Sequence, residues 1–233
     1  MYPHRIRLRG PWDCVPLARI ESQSQDPLPA KQKMTLPCRW KDGGLGTFQG
    51  KVCFRRRFGQ PRQIDEHERV WLTFAGVDGR VVAHLNDQAL AIPEIMPEPF
   101  EIDVTSLLND RNELMVEIES STGQGGIWGE VALEIRCTAY LRDLQIWTAV
   151  ENEHLRLHVA GKVVGICAGQ LELYVILGRK TVIYSRVADG GEPFQLVSDD
   201  PQIDGEIVRV ELVNGASVWH STEMKIDSTS VGH

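Results

Sequence analysis

Apolar and polar residues alternate along most of this chain with a period of two. Ile6 and Leu8 are set between arginines, and Val52 and Phe54 alternate with Cys53 and Arg55. Val70, Leu72 and Phe74 alternate with Trp71 and Thr73; Leu114, Val116 and Ile118 alternate with Met115, Glu117 and Glu119; Val131, Leu133 and Ile135 follow. Each run is short, rich in β-branched or aromatic residues, and bounded by Gly, Pro, Asn or Asp, which predicts half-buried strands. Asp78-Gly79 and Asn86-Asp87 end such runs and predict turns. Only residues 104–108 read as a helical turn, with Asp103 or Thr105 placed to cap it.

The same alternation continues in Leu144-Gln145-Ile146-Trp147, Leu155-Arg156-Leu157-His158-Val159, Leu171-Glu172-Leu173-Tyr174-Val175 and Ile207-Val208-Arg209-Val210-Glu211-Leu212. Many short strands with almost no helix predict an all-β sandwich or barrel. One alternating run ends and another begins near residues 137–140, which predicts a domain boundary there. The stretch 138–227 has the length and strand spacing of an immunoglobulin-like sandwich. The polar segment 21–33 is expected to be a mobile excursion, and residues 228–233 a disordered tail.

Charge narrows the function classes. With 25 basic and 32 acidic residues the net charge is −7, which excludes nucleic acid or an anionic membrane as the main partner, since both demand clustered positive charge. The one tight basic run, Arg55-Arg56-Arg57, alternates faces in a strand and is expected to form a solvated edge rather than a phosphate site. No segment reaches the ~18–20 apolar residues of a membrane span, and no apolar run follows the basic N-terminus, so no secretory signal is expected. Five widely spaced cysteines without a Cys-x-x-Cys motif predict reduced thiols and a cytoplasmic location, with no zinc site.

A series of motifs then points to a family. Gly50-Lys51-Val52-Cys53-Phe54-Arg55-Arg56-Arg57-Phe58 resembles the strand in which family 2 glycoside hydrolases carry Tyr/Phe-x-Arg-x-Phe. Val70 to Gly79 resembles their L-x-F-x-G-V-D strand and turn. Ala83-His84-Leu85-Asn86-Asp87 sits where they have V-x-L-N-G, and Pro99-Phe100-Glu101-Ile102-Asp103-Val104-Thr105 matches P-F-x-x-D-V-T. Asn112-Glu113-Leu114 matches N-x-L, and Gly125-Gly126-Ile127-Trp128-Gly129-Glu130-Val131 is similar to G-G-I-W-x-x-V. The motifs come in family order across residues 50–135. In the second half only Val218-Trp219-His220-Ser221 is similar to the family's L-W-S-P, without its proline.

The resemblance implies a galactose-binding-like jelly roll over residues 1–137, followed by a smaller immunoglobulin-like β-sandwich over residues 138–227. It implies a carbohydrate-binding role like that of the accessory domains of beta-galactosidases and beta-glucuronidases. The catalytic barrel of that family, a unit of ~250 residues, has no room here, so no catalytic residue is carried over and no glycosidase activity is expected. The alternative is a non-catalytic subunit or scaffold that associates with a separate catalytic chain or with itself as a homo-oligomer.

Individual residues admit plainer readings beside these. Asp103 and Thr105 are expected to hold a turn through backbone N–H groups, and Asn86 to be a hairpin residue near the left-handed conformation. Trp128 follows two glycines that let chain segments approach closely, which favours partly buried packing. A bound sugar would need an exposed aromatic plate ringed by planar polar side chains. The loop residues that fit are Trp40, Phe48, Gln49, Gln124 and Trp128, with Asp42 and Glu130 as hydroxyl acceptors; Trp40 fits a core role equally well.

His154 and His158 lie ~13 Å apart on a strand and cannot share an ion. The glycine-rich stretches 43–46 and 123–126 open no helix and read as loops rather than phosphate cradles. No nucleophile motif occurs, no Asp-rich loop singles out a calcium site, and no metal or cofactor is expected.

Overall fold

The computed structural model describes residues 3–20, 27–92, 99–151, 153–198 and 207–226; the expected tail and residues 21–26 of the expected excursion lie outside them. The chain is all-β, an arrangement of antiparallel sheets with one short 3-10 turn, Thr105–Leu107, among the described residues. It divides into two compact units. One comprises Arg5–Ile64 and Arg69–Glu134; the other gathers Asp65–Glu68 and the chain from Ile135 onward.

The first unit carries twelve strands among the described residues: β1 (His4–Arg7), β2 (Trp12–Arg19), β3 (Gln32–Met34), β4 (Cys38–Arg39), β5 (Gly50–Gly59), β6 (Glu68–Phe74), β7 (Arg80–Leu85), β8 (Gln88–Ala89), β9 (Phe100–Asp103), β10 (Arg111–Ser120), β11 (Gly126–Ile127) and β12 (Val131–Cys137). Six form a sheet in the order β3-β2-β5-β10-β7-β8, four form a second in the order β1-β12-β6-β9, and β4 pairs with β11. The period-two residues supply the core. Val52, Phe54, Leu114, Val116 and Ile118 are buried from the six-stranded sheet, and Val70, Leu72, Phe74, Phe100, Leu133 and Ile135 from the four-stranded one. Phe74 and Phe100 stack with ring centroids 4.8 Å apart.

Two expectations change. The triple arginine is on a sheet edge only in part, because β5 pairs with β10 along its length and with β2 only as far as Arg55. Arg55 and Arg57 instead project from an exposed sheet face, where Arg57 meets Glu113 at 2.6 Å. Strand β12 is buried at every position, not only at Val131, Leu133 and Ile135. It lies between β1 and β6, and among its polar alternates Glu134 is approached by Arg5 at 3.7 Å.

The turn chemistry follows the sequence. Asp103 Oδ1 accepts from the Thr105 N–H (2.9 Å) and hydroxyl (2.6 Å), while Thr105 Oγ1 accepts from the Val70 N–H at 2.8 Å. Asn86 adopts φ 51° in the β7–β8 hairpin. Its amide donates to Leu107 O and Asn112 Oδ1, both at 2.8 Å, and its carbonyl oxygen accepts from Glu113 N–H at 3.0 Å. A hollow of about 670 Å³ opens beside these asparagines, but their polar groups are already spent on closing the turns.

The second unit carries seven strands among the described residues, β13 (Ala139–Glu151), β14 (His154–Gly165), β15 (Leu171–Leu177), β16 (Lys180–Val187), β17 (Pro193–Val197), β18 (Ile207–Asn214) and β19 (Ser217–Lys225). They divide into a three-stranded sheet, β13-β14-β17, and a four-stranded sheet, β16-β15-β18-β19. A three-plus-four division of seven strands is that of an immunoglobulin-like sandwich. One core joins both sheets: Ile146, Leu157 and Val159 from the first, Leu173, Val175, Val210, Leu212 and Trp219 from the second. The short strap Asp65–Glu68 belongs here; the His67 ring stacks on Trp219 at 5.6 Å, and the His67 backbone carbonyl accepts from the Thr138 N–H at 2.7 Å.

Candidate functional site

The expected sugar residues come from two loops of the first unit, and backbone geometry decides where their side chains go. After β4 the chain turns tightly: Gly43 N–H donates to Arg39 O at 3.0 Å, Leu45 N–H to Trp40 O at 3.0 Å, and Phe48 N–H to Leu45 O at 3.1 Å. The second loop closes onto the first through Trp40 N–H to Gly125 O at 2.9 Å and the β4–β11 pairing. Gly125 makes this approach possible, since a Cβ there would lie 2.8 Å from the Trp40 ring.

This closure encloses Trp40. It is 0% exposed and Phe48 3% exposed, with ring centroids 5.6 Å apart in an edge-to-face pair. The Arg19 guanidinium closes over Phe48 at 5.0 Å. Neither ring is a plate for a ligand; they form the floor on which the loops rest, the core alternative for Trp40. Trp128 is half-buried. Its ring occupies the space a side chain at Gly76 would need, and the Arg39 guanidinium sits over it at 5.2 Å.

Arg39 also pairs with Asp78, whose backbone bridges to Gly126. Beside this pair lies a cleft of about 730 Å³, lined by Arg39, Lys41, Asp78, Arg80, Glu119 and Gln124 among others. It falls within the size range of small-molecule sites. Lys41 and Arg80 are exposed and enter no ion pair among the described residues. The cleft can therefore offer amide, guanidinium and ammonium donors together with two carboxylates to a polyhydroxylated ligand.

Of the seven expected residues, only Gln124 lines this cleft. Asp42 is exposed on the neighbouring turn, Gln49 is half-buried at the loop's end, and Trp128 underlies Arg39. Glu130 is committed elsewhere, receiving Arg5 at 2.8 Å and Arg7 at 2.6 Å. Sequence reading missed Arg39, Lys41, Arg80 and Glu119. A lone charge beside a glycine turn carries no signal of its own, and only the convergence of the two loops with the Asp78-Gly79 turn brings these four together.

Metal-ligating side chains meet at one place among the described residues. Asp65, His67 and Glu68 bring ligand atoms within 4.8 Å of one another. Glu68 already accepts the Asp65 N–H at 2.9 Å while Asp65 O accepts the Glu68 N–H at 2.9 Å, a reciprocal turn closure. All five cysteines are free thiols, with Cys14, Cys53 and Cys137 buried. Burial pushes Cys14 up to about 12 and also raises Cys38 and Cys53, which suits inert thiols rather than nucleophiles.

Fold and cleft together define an all-β protein with a polar cleft at the loop ends of one unit, and solved structures share that fold. An uncultured Clostridium sp. beta-glucuronidase superposes with TM-score 0.72 at 19% identity, matching 97% of this chain and 46% of its own. A putative beta-galactosidase from Bacteroides fragilis gives 0.69 at 13% identity, over 96% of this chain and 41% of its own. A Ruminococcus gnavus beta-glucuronidase gives 0.69 at 14%, over 97% and 44%. The chain thus spans less than half the length of these glycosidases, and at such identities the likeness is one of fold. No protein-family model matches the sequence, nor does any curated protein in a sequence search.

Proposed function

We propose that the chain is a non-catalytic carbohydrate-binding protein of the kind that accompanies family 2 glycosidase barrels, and that the loop-end cleft of its first unit takes the saccharide. The observation that carries this reading is the cleft itself. Arg39, Lys41, Arg80 and Gln124, which carry guanidinium, ammonium and amide donors, line one space of about 730 Å³. The ordered motifs of residues 50–135 and the fold shared with beta-glucuronidases and a putative beta-galactosidase support it. The acidic balance disfavours nucleic acid and membrane as partners, and five free thiols fit a reducing compartment such as the cytoplasm.

Titration calorimetry with methyl glycosides and short oligosaccharides tests the site. Gln124→Ala and Arg80→Ala are each expected to weaken binding about two- to tenfold, the worth of one or two hydrogen bonds, with melting temperature unchanged. Equal affinity in both variants would remove the cleft from the reading.

A second reading is a non-catalytic subunit that pairs with a separate catalytic chain or with itself. It is favoured by apolar residues left outside, with Ile166 76% exposed. Light scattering of the purified protein distinguishes a monomer from a self-associated form.

A further inference from the structure

We infer that the second unit carries a saccharide site of its own, on the outer face of the sheet formed by β13, β14 and β17, independent of the cleft in the first unit. Strand register creates it. Ile146, Val159 and Leu196 align across the three strands and face the core, so the flanking positions face outward. One outward row is Gln145, Ala160 and Gln195; the next along the strands is Trp147, His158 and Val197.

In the first of these rows two exposed glutamines stand on either side of a single methyl group. Strands are spaced ~4.8 Å apart, so Gln145 and Gln195 wall a channel whose floor is Ala160. A hollow of about 610 Å³ occupies this position, lined also by Asp143, Lys162 and Phe194.

A bulge completes the polar rim. Pairing runs Arg142 to Lys162 and then Gln145 to Ala160, so Asp143 and Leu144 together oppose Gly161. Asp143 takes φ 52°, a left-handed conformation that turns its carboxylate to the Lys162 side, where Oδ2 meets Nζ at 2.7 Å. Leu144 turns the other way, toward the core. Gly161 permits this: a Cβ there would lie 2.8 Å from Leu144 Cδ2 and 3.2 Å from Phe194 Cζ. Bulges recur where a strand must re-aim a side chain.

The next row supplies the aromatic surface. Trp147 is half-buried and lies over the His158 ring at 5.2 Å, nearly parallel. His158 is 5% exposed, and neither ring nitrogen makes a hydrogen bond among the described residues, Nε2 lying 3.4 Å from Glu151 Oε1. Two planar amides, an Asp–Lys pair and an indole, spread over three successive outward rows, form the donor–acceptor and stacking set that a short neutral oligosaccharide requires. Lys162 and Asp143 cancel in charge, so neutral rather than acidic saccharides are the matching class.

Amide and indole NMR of the full chain tests this, with methyl β-glucopyranoside, methyl β-galactopyranoside and cellotetraose as probes. At least one probe is expected to shift the side-chain resonances of Gln145, Gln195 and the Trp147 indole N–H together. Gln145→Ala and Gln195→Ala, both at exposed positions, are expected to weaken that response about two- to tenfold each, whereas Gln124→Ala leaves it unchanged. No shift on this face with any of the three probes, or shifts that persist undiminished in both variants, would overturn the proposal. Shifts confined to the cleft of the first unit would overturn it while leaving the proposed function standing.

Discussion

The loop end of the first unit and the outer sheet face of the second unit use the same ingredients in opposite ways. In the loops, tryptophan is followed across the fold by glycine: Gly125 lets the chain close over Trp40 until nothing of it is exposed. The polar groups are then left to make the cleft alone. On the sheet face, the small residues lie between the polar ones, so Ala160 and Gly161 open a hollow, and Trp147 in the next row stays half-exposed. Glycine beside an aromatic in a loop therefore marks burial, while a small residue between amides on a strand marks a groove.

The difference has a large energetic signature. Trp40→Ala is expected to cost about 3–5 kcal/mol, as removal of a fully buried large aromatic does. That is a large share of the ~5–15 kcal/mol available to a domain. Trp128→Ala, half-buried over Gly76, is expected to cost less, about 2–3 kcal/mol, and Trp147→Ala on the open face about 1–2 kcal/mol. Thermal or urea denaturation ranks the three; a Trp147 loss as great as that of Trp40 would break the comparison.

Thiol reactivity sharpens the same contrast between closed and open surroundings. Cys14, whose thiol burial pushes up to about 12, is expected to resist alkylation at pH 8 until the protein unfolds. Cys38 and Cys167 are only partly buried, and they are expected to be modified first even though burial raises them too. Peptide mass analysis after timed iodoacetamide exposure reads the order; early labelling of Cys14 would show that the sandwich beneath the loops is open.

The smallest effect belongs to the rim of the sheet-face hollow. A hydrogen bond from Lys162, with its charge, holds Asp143 below the usual 3.8. The ionised form is thus favoured on folding, so the pair's stabilisation is complete above the ordinary carboxylate value and is lost as pH falls through the lowered one. Lys162→Met should melt slightly below the wild type at pH 6, with the difference shrinking as pH falls below the usual 3.8 and through the lowered value. A gap that stays constant with pH would mean that Lys162 acts by packing alone.

Strands and turns were legible in the sequence because each depends on neighbours along the chain. The alternation of β10, the Asn86 hairpin and the Asp103–Thr105 turn are local in this sense. The candidate site was not, because its members depend on tertiary approach. Trp40 and Phe48 stand in a polar, glycine-rich stretch that reads as exposed until Gly125 is brought over them. Glu130 reads as a free acceptor until β1 places Arg5 and Arg7 beside it. The row of Gln145, Ala160 and Gln195 exists only through register, and a bulge at Asp143 sets that register. Alternation alone also missed that β12 is buried on both faces.

The central claim is binding without glycosidic chemistry, and one measurement meets it directly: capture of the purified chain on a glycan array, with the retained glycans then incubated with it in solution. The expected result is selective retention of one saccharide class, reduced in Gln124→Ala or in Gln145→Ala, with the retained glycans recovered intact. Hydrolysis of a retained glycan that a single Asp or Glu substitution abolishes, or an array on which nothing is retained, would contradict the account.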